Sequence, residues 1–183
     1  MNEDINPDQS SADAFEIDHP DTEPYFFTTA PLKLALMSIC TFGGYPVYWF
    51  YRNWVCIKKH TGADIMPLWR AIFAPIWAYS CFKQINQTAR EKDIPEEPGI
   101  MACAIFYLLF KAAHRLPAPY LLVRFFSFAT ILPANKVALA VNQKMVPGFT
   151  DNREITSFNM VAVLFGGILV LFATYSAFLP VTP

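Results

Sequence analysis

From Ile155 to Pro183 the chain carries no charged side chain, and Ile155 to Leu179 is built mostly from Val, Leu, Ile, Phe and Ala. Wound as a helix, those residues reach about 37 Å, more than the ~30 Å hydrocarbon layer of a bilayer. The run predicts a spanning helix over 155–179. Gly166 and Gly167 sit near its centre, where small residues either admit a neighbouring helix or are simply tolerated in lipid. Composition agrees with this: 54% of the 183 residues are hydrophobic and 16% charged, against about 25% charge in an ordinary soluble domain. One membrane-embedded unit fits the length. A collagen-like, disulfide-rich or wholly disordered chain is excluded.

The formal net charge of −1 hides a division. Residues 1–30 hold eight acids and no Lys or Arg, whereas 31–183 hold all fourteen basic residues against seven acids. Such a leader cannot bury enough apolar surface to offset the entropy of ordering. The expectation is a disordered acidic tail over 1–30 and a helical membrane domain over 31–183. A tail that docks on the basic body is the alternative.

Further apolar runs lie at 32–51, 66–84 and 98–113. Leu34 to Tyr51 is uncharged, but Gly43-Gly44-Tyr45-Pro46 interrupts it, giving either a crossing kinked at Pro46 or a re-entrant hairpin. The runs at 66–84 and 98–113 are short, with Arg70 and Lys111 placed to snorkel from their ends. Residues 52–60 carry Trp54 and Ile57 on a different face from Arg52, Lys58 and Lys59, as in a helix lying on a membrane surface. Residues 117–132 hold Arg124 near their middle, and an isolated Arg at mid-bilayer costs at least about 2.5 kcal/mol; this piece is expected along the interface. Positive-inside bias puts both basic clusters, around 52–59 and 136–153, in the cytoplasm and the C-terminus outside. The fold class read from these patterns is all-α, a multi-spanning bundle of about four crossings with interfacial helices at 52–60 and 117–132. Four crossings leave the acidic leader outside; two crossings with interfacial helices are the alternative.

Little points to chemistry. Cys56, His60 and Asp64 are four residues apart, but Thr61-Gly62 should end the helix before Asp64 joins the row, and no metal site is expected. Cys40, Cys56, Cys81 and Cys103 form no C-x-x-C pair and read as buried thiols. No P-loop, dinucleotide fingerprint, nucleophile elbow or zinc-protease motif occurs, and no catalytic residue or cofactor is expected. The candidate contacts for an anion or lipid headgroup are Arg124, Lys111, Arg115, Arg52, Lys58 and Lys59, of which Lys111, Arg115 and Arg124 could gather with His114 at one rim. Tyr48, Trp49, Tyr51 and Trp54 are the expected interfacial anchors, since amphipathic rings favour the headgroup level. Basic residues scattered among apolar runs argue against nucleic-acid binding.

The stretch Thr41-Phe42-Gly43-Gly44-Tyr45-Pro46-Val47-Tyr48-Trp49-Phe50-Tyr51-Arg52-Asn53-Trp54 resembles the T-F-G-x-Y-x-x-Y-W-F-Y-x-N-W motif of small bacterial inner-membrane proteins. The likeness covers roughly 32–60, and Pro46 departs from the small or aliphatic residue of the family. It implies a multi-pass protein of the bacterial cytoplasmic membrane and brings no assigned reaction. The function expected is a non-enzymatic accessory or assembly component, with the lipid bilayer and other membrane proteins as partners. A transporter or channel for a small solute or lipid, and a membrane enzyme acting on a lipid-linked substrate, are the alternatives.

Overall fold

The computed structural model describes residues 23–112, 120–154 and 156–178. Within them the chain is all-α, with one isolated backbone bridge between Thr29 and Asn152. The helices are α1 (Pro31–Cys40), α2 (Gly44–Thr61), α3 (Pro67–Ile72), α4 (Ala74–Glu91), α5 (Ile100–Ala112), α6 (Leu132–Met145) and α7 (Ser157–Phe178), with a 3₁₀ segment, Tyr120–Ile131, between α5 and α6.

The break in 32–51 is a turn between two helices and not a kink at Pro46. At the end of α1 the Gly43 N–H donates to the Ser38 carbonyl (2.8 Å) and the Phe42 N–H to that of Ile39 (3.1 Å). This is the Schellman pattern, with Phe42 (φ 52°) and Gly43 (φ 86°) both left-handed. The Thr41 hydroxyl closes the corner, donating to the Met37 carbonyl and accepting the Tyr45 N–H (2.8 Å). Pro46 lies in the first turn of α2, where a missing N–H costs nothing. Helix α2 then continues through 52–60, so that stretch is no separate interfacial helix. It stops at Gly62 (φ 64°), whose N–H reaches the Lys58 carbonyl, before Asp64.

The other expected segments are also redrawn. The 66–84 run divides at Phe73 into α3 and α4, and α4 carries on to Glu91. The 98–113 run gives the thirteen-residue α5. The 117–132 piece does not lie wholly on a surface, because Ser127, Thr130 and Ile131 at the end of the 3₁₀ segment are buried. It leads directly into α6, which opens with Pro133 in its first turn. The apolar C-terminal run forms α7. Among the described residues no helix is long and apolar enough to cross a membrane.

The core is aromatic at one level and close-packed at another. Phe50 stacks on Phe82 (centroids 5.8 Å apart), with Trp49 and Tyr107 each 5.2 Å from Phe50. Ala74, Ala78, Cys81, Ile85 and Ala89 make one buried stripe along α4, which packs on α5 and α6; such small residues bring helix axes close. Burial places Trp49 and Trp54, 0% and 1% exposed, inside this core and not among the interfacial anchors. Of the four rings expected at a membrane surface, only Tyr48 and Tyr51 are exposed.

Residues 23–30 correct the expectation of a disordered tail over 1–30; residues 1–22 lie outside the described ones. Phe26, Phe27, Thr28 and Thr29 are buried in an extended strap held by α2 and α6. Asn142 on α6 accepts the Phe26 N–H at 3.0 Å and donates to the Phe26 carbonyl at 2.7 Å. Asn135 does the same for Thr29, at 3.2 and 2.8 Å, and also accepts the Trp49 indole N–H at 3.0 Å. Two helical turns span about 10.5 Å and three extended residues about 10 Å, so the two amides meet the backbone of Phe26 and of Thr29 in register. From α2, Asn53 donates to the Phe27 carbonyl (3.1 Å). Tyr25 stacks on His60 at 4.3 Å, and Glu23 pairs with Lys59 at 2.9 Å. The end of the acidic leader therefore lies against the basic cluster 52–59.

A candidate ligand cleft beside an apolar surface

The bridge from Thr29 to Asn152 launches two helices side by side. Chain leaving Thr29 enters α1, chain leaving Asn152 enters α7, and the two run in the same direction until Cys40 meets Gly166. A β-carbon built on Gly166 would overlap the Cys40 carbonyl oxygen and lie 2.7 Å from its carbon, whereas one on Gly167 would meet nothing within 4 Å. Gly166 is thus the small residue that admits a neighbouring helix, and Gly167 is not.

Where α1 and α7 begin, a cleft of about 540 Å³ opens between them and the first turns of α2. That is within the usual range for a small-molecule site. Its polar end is Lys33, 5% exposed, whose Nζ donates to Asn152 Oδ1 (2.7 Å) and to the Glu154 carbonyl (2.6 Å). Among the described residues no carboxylate lies within 4 Å of that ammonium; the four ion pairs there join other residues. Lys33 also stands in the first turn of α1, the positive end of the helix dipole, where a cation is disfavoured. Tyr45 and Tyr48 of α2 also line the cleft. Tyr45 OH bonds Thr29 Oγ1 at 3.2 Å, and Tyr48 OH accepts from Arg52 Nη1 at 3.0 Å. Met37 and Ala162 complete an apolar floor.

The cations expected to form a headgroup site are dispersed. Arg52 lies over the Phe27 ring (5.0 Å) and is held by Tyr48. Lys58 donates to the Ile65 carbonyl (3.0 Å), and Lys59 is taken by Glu23. The Lys111 ammonium lies 2.8 Å from where a β-carbon on Gly43 would stand, against the α1–α2 corner. Helix α5 does pack along the 3₁₀ segment, but His114 and Arg115 lie outside the described residues, as does the side chain of Arg124. Arg70, expected to snorkel, is instead clasped between the rings of Trp54 (4.5 Å) and Trp77 (4.4 Å). Sequence reasoning passed over Lys33, whose only sequence signal is a lone cation at the head of an uncharged run.

Beside the cleft the surface is apolar. Met160, Val161, Leu164, Phe165, Ile168, Leu171 and Phe172 are all more than half exposed on α7. Met66, Leu68, Trp69, Ile72, Phe73 and Ile76 form a second exposed group on α3 and the start of α4. Patches this large mark contact with lipid or protein. The cysteines are free, and among the described residues no group of three His, Cys, Asp or Glu could hold a metal ion. No protein-family model, curated protein or solved structure matches the chain.

Proposed function

We propose that this chain is a non-enzymatic accessory or assembly protein of the bacterial cytoplasmic membrane, with α7 inserted in lipid and the α3–α4 surface resting at the interface. The observation that carries the reading is the uncharged face of α7, with Leu171 72% and Phe172 68% exposed. Over its 22 residues α7 reaches about 33 Å. The shorter helices α1, α3 and α5 fit partial immersion, with α2, α4 and α6 carrying the polar end. The likeness of Thr41 to Trp54 to a bacterial inner-membrane motif supports the location, and the bilayer and neighbouring membrane proteins are the partners. Carbonate extraction of membranes from cells making the full chain tests the insertion. The protein stays in the pellet; recovery as a folded, monodisperse species in the supernatant overturns the reading. Crosslinking in mild detergent followed by mass spectrometry tests the accessory role, and recovery of a lone monomer at every crosslinker length excludes it.

A second reading, a transporter for a small anion or lipid, has the Lys33 cleft in its favour. Flux into proteoliposomes above that of empty vesicles supports it, and equality with them removes it.

A further inference from the structure

We propose that the cleft between α1, α2 and α7 binds a single-chain anionic amphiphile, its carboxylate or phosphate head on Lys33 and its alkyl chain along Met37 and Ala162. Three observations converge. Lys33, a largely buried residue, lines the cleft, and its ammonium is bound by two neutral oxygens, Asn152 Oδ1 and the Glu154 carbonyl, with no carboxylate in contact among the described residues. An ammonium offers three donors, so one N–H beyond those two is available to a ligand oxygen, as a charge-assisted hydrogen bond. A largely buried cation with no carboxylate in direct contact is costly, and an anion seated beside it lowers that cost.

The position of the charge is the second observation. Lys33 lies in the first turn of α1 and close to the first turn of α7, which Thr156 opens by accepting the Asn159 N–H. Both helix dipoles present their positive ends to the same cleft, so an anion is favoured there and a cation is not. Tyr45 and Tyr48 also line the cleft, and Arg52, bonded to the Tyr48 hydroxyl, adds a positive charge beyond it. Glu154 is the carboxylate whose charge is felt at Lys33, but it stands exposed and outside ion-pair distance.

The third observation is the shape of the remainder. Met37 on α1 and Ala162 on α7 give the cleft an apolar floor beside Lys33, against which an alkyl chain would pack. A free inorganic ion would leave that floor empty, which is why the occupant is an amphiphile. An alkyl sulfonate or a diacyl lipid shares the head chemistry, and the head is identified by competition.

The probe is 11-(dansylamino)undecanoic acid, titrated into the full-length protein in dodecyl maltoside, with its methyl ester as the neutral control. The acid binds saturably and the ester at least about tenfold more weakly. Lys33→Met reduces acid binding about tenfold or more and leaves the ester unaltered, while Lys33→Arg retains most of it. Ala162→Trp, which fills the floor without touching the Lys33 hydrogen bonds, also abolishes acid binding; this second variant keeps the test decisive should Lys33→Met fold poorly. Displacement by lysophosphatidic acid or by laurate names the head as phosphate or carboxylate, and either supports the proposal. Equal binding of acid and ester, an unaffected Lys33→Met protein with native helicity, or equally good displacement by inorganic phosphate overturns it. These outcomes are independent of carbonate extraction, so a failed cleft and a failed membrane assignment are told apart.

Discussion

Asn135 and Asn142 show how much a single side-chain amide decides when it is buried. Each supplies an acceptor to the N–H and a donor to the C=O of one buried strap residue, and an unpaired buried backbone group costs about 1–3 kcal/mol. Asn142→Ala should lower stability by about 2 kcal/mol, measured by denaturant unfolding in detergent. Asn142→Asp, nearly isosteric, should be at least as damaging, because an acceptor then faces the Phe26 carbonyl. Were Asp tolerated and Ala not, packing and not hydrogen bonding would hold the strap. The Glu23–Lys59 pair closes the strap's outer end. The hydrogen bond from Lys59, followed by its charge, holds the Glu23 carboxyl below its ordinary value of 4.5. A carboxyl lowered in the folded state contributes above that value, and the contribution is lost as pH falls through the folded pKa. Proteolysis within 23–30 should therefore quicken as pH falls below 4.5 and on through the lowered folded value, and Glu23→Gln should remove the pH dependence.

At the scale of elements, Gly166 and Gly167 make a matched pair. Gly in a helix interior costs about 0.5–1 kcal/mol relative to Ala. Gly167→Ala, with open space around it, should stabilise by up to that amount. Gly166→Ala should instead force α7 off the end of α1, at about 1–3 kcal/mol for overpacking. Thermal unfolding of the two variants checks both signs at once, and a shift in the same direction for both would mean that α1 and α7 are not in contact there. Arg70 ties elements differently. Its guanidinium lies between rings from α2 and α4, and a flat cation suits such a sandwich better than an ammonium.

The whole molecule has its tryptophans divided between interior and surface. Trp49 and Trp54 are buried, and Trp69 and Trp77 are exposed. Reconstituted into vesicles containing brominated phosphatidylcholine, a protein with Trp69 as its only tryptophan should lose most of its fluorescence. A protein keeping only Trp49 should lose little. Equal quenching of the two would remove the α3–α4 surface from the membrane interface.

Local pattern was enough to establish the helical class, the end of α2 at Gly62 and the apolar character of 155–179, because each depends on neighbours in sequence or on the balance of oil and charge. Pattern alone misassigned Trp49 and Trp54, since an amphipathic ring has the same sequence signature at a membrane surface and in a core. It also missed the strap: eight residues, six of them polar or aromatic, cannot order themselves at the end of an acidic leader. They do so only where α2 and α6, far apart in the chain, bring three asparagine amides to their peptide groups. The same holds for Lys33, an ordinary flanking cation in sequence, which became a buried charge at a cleft only when α7 was laid against α1.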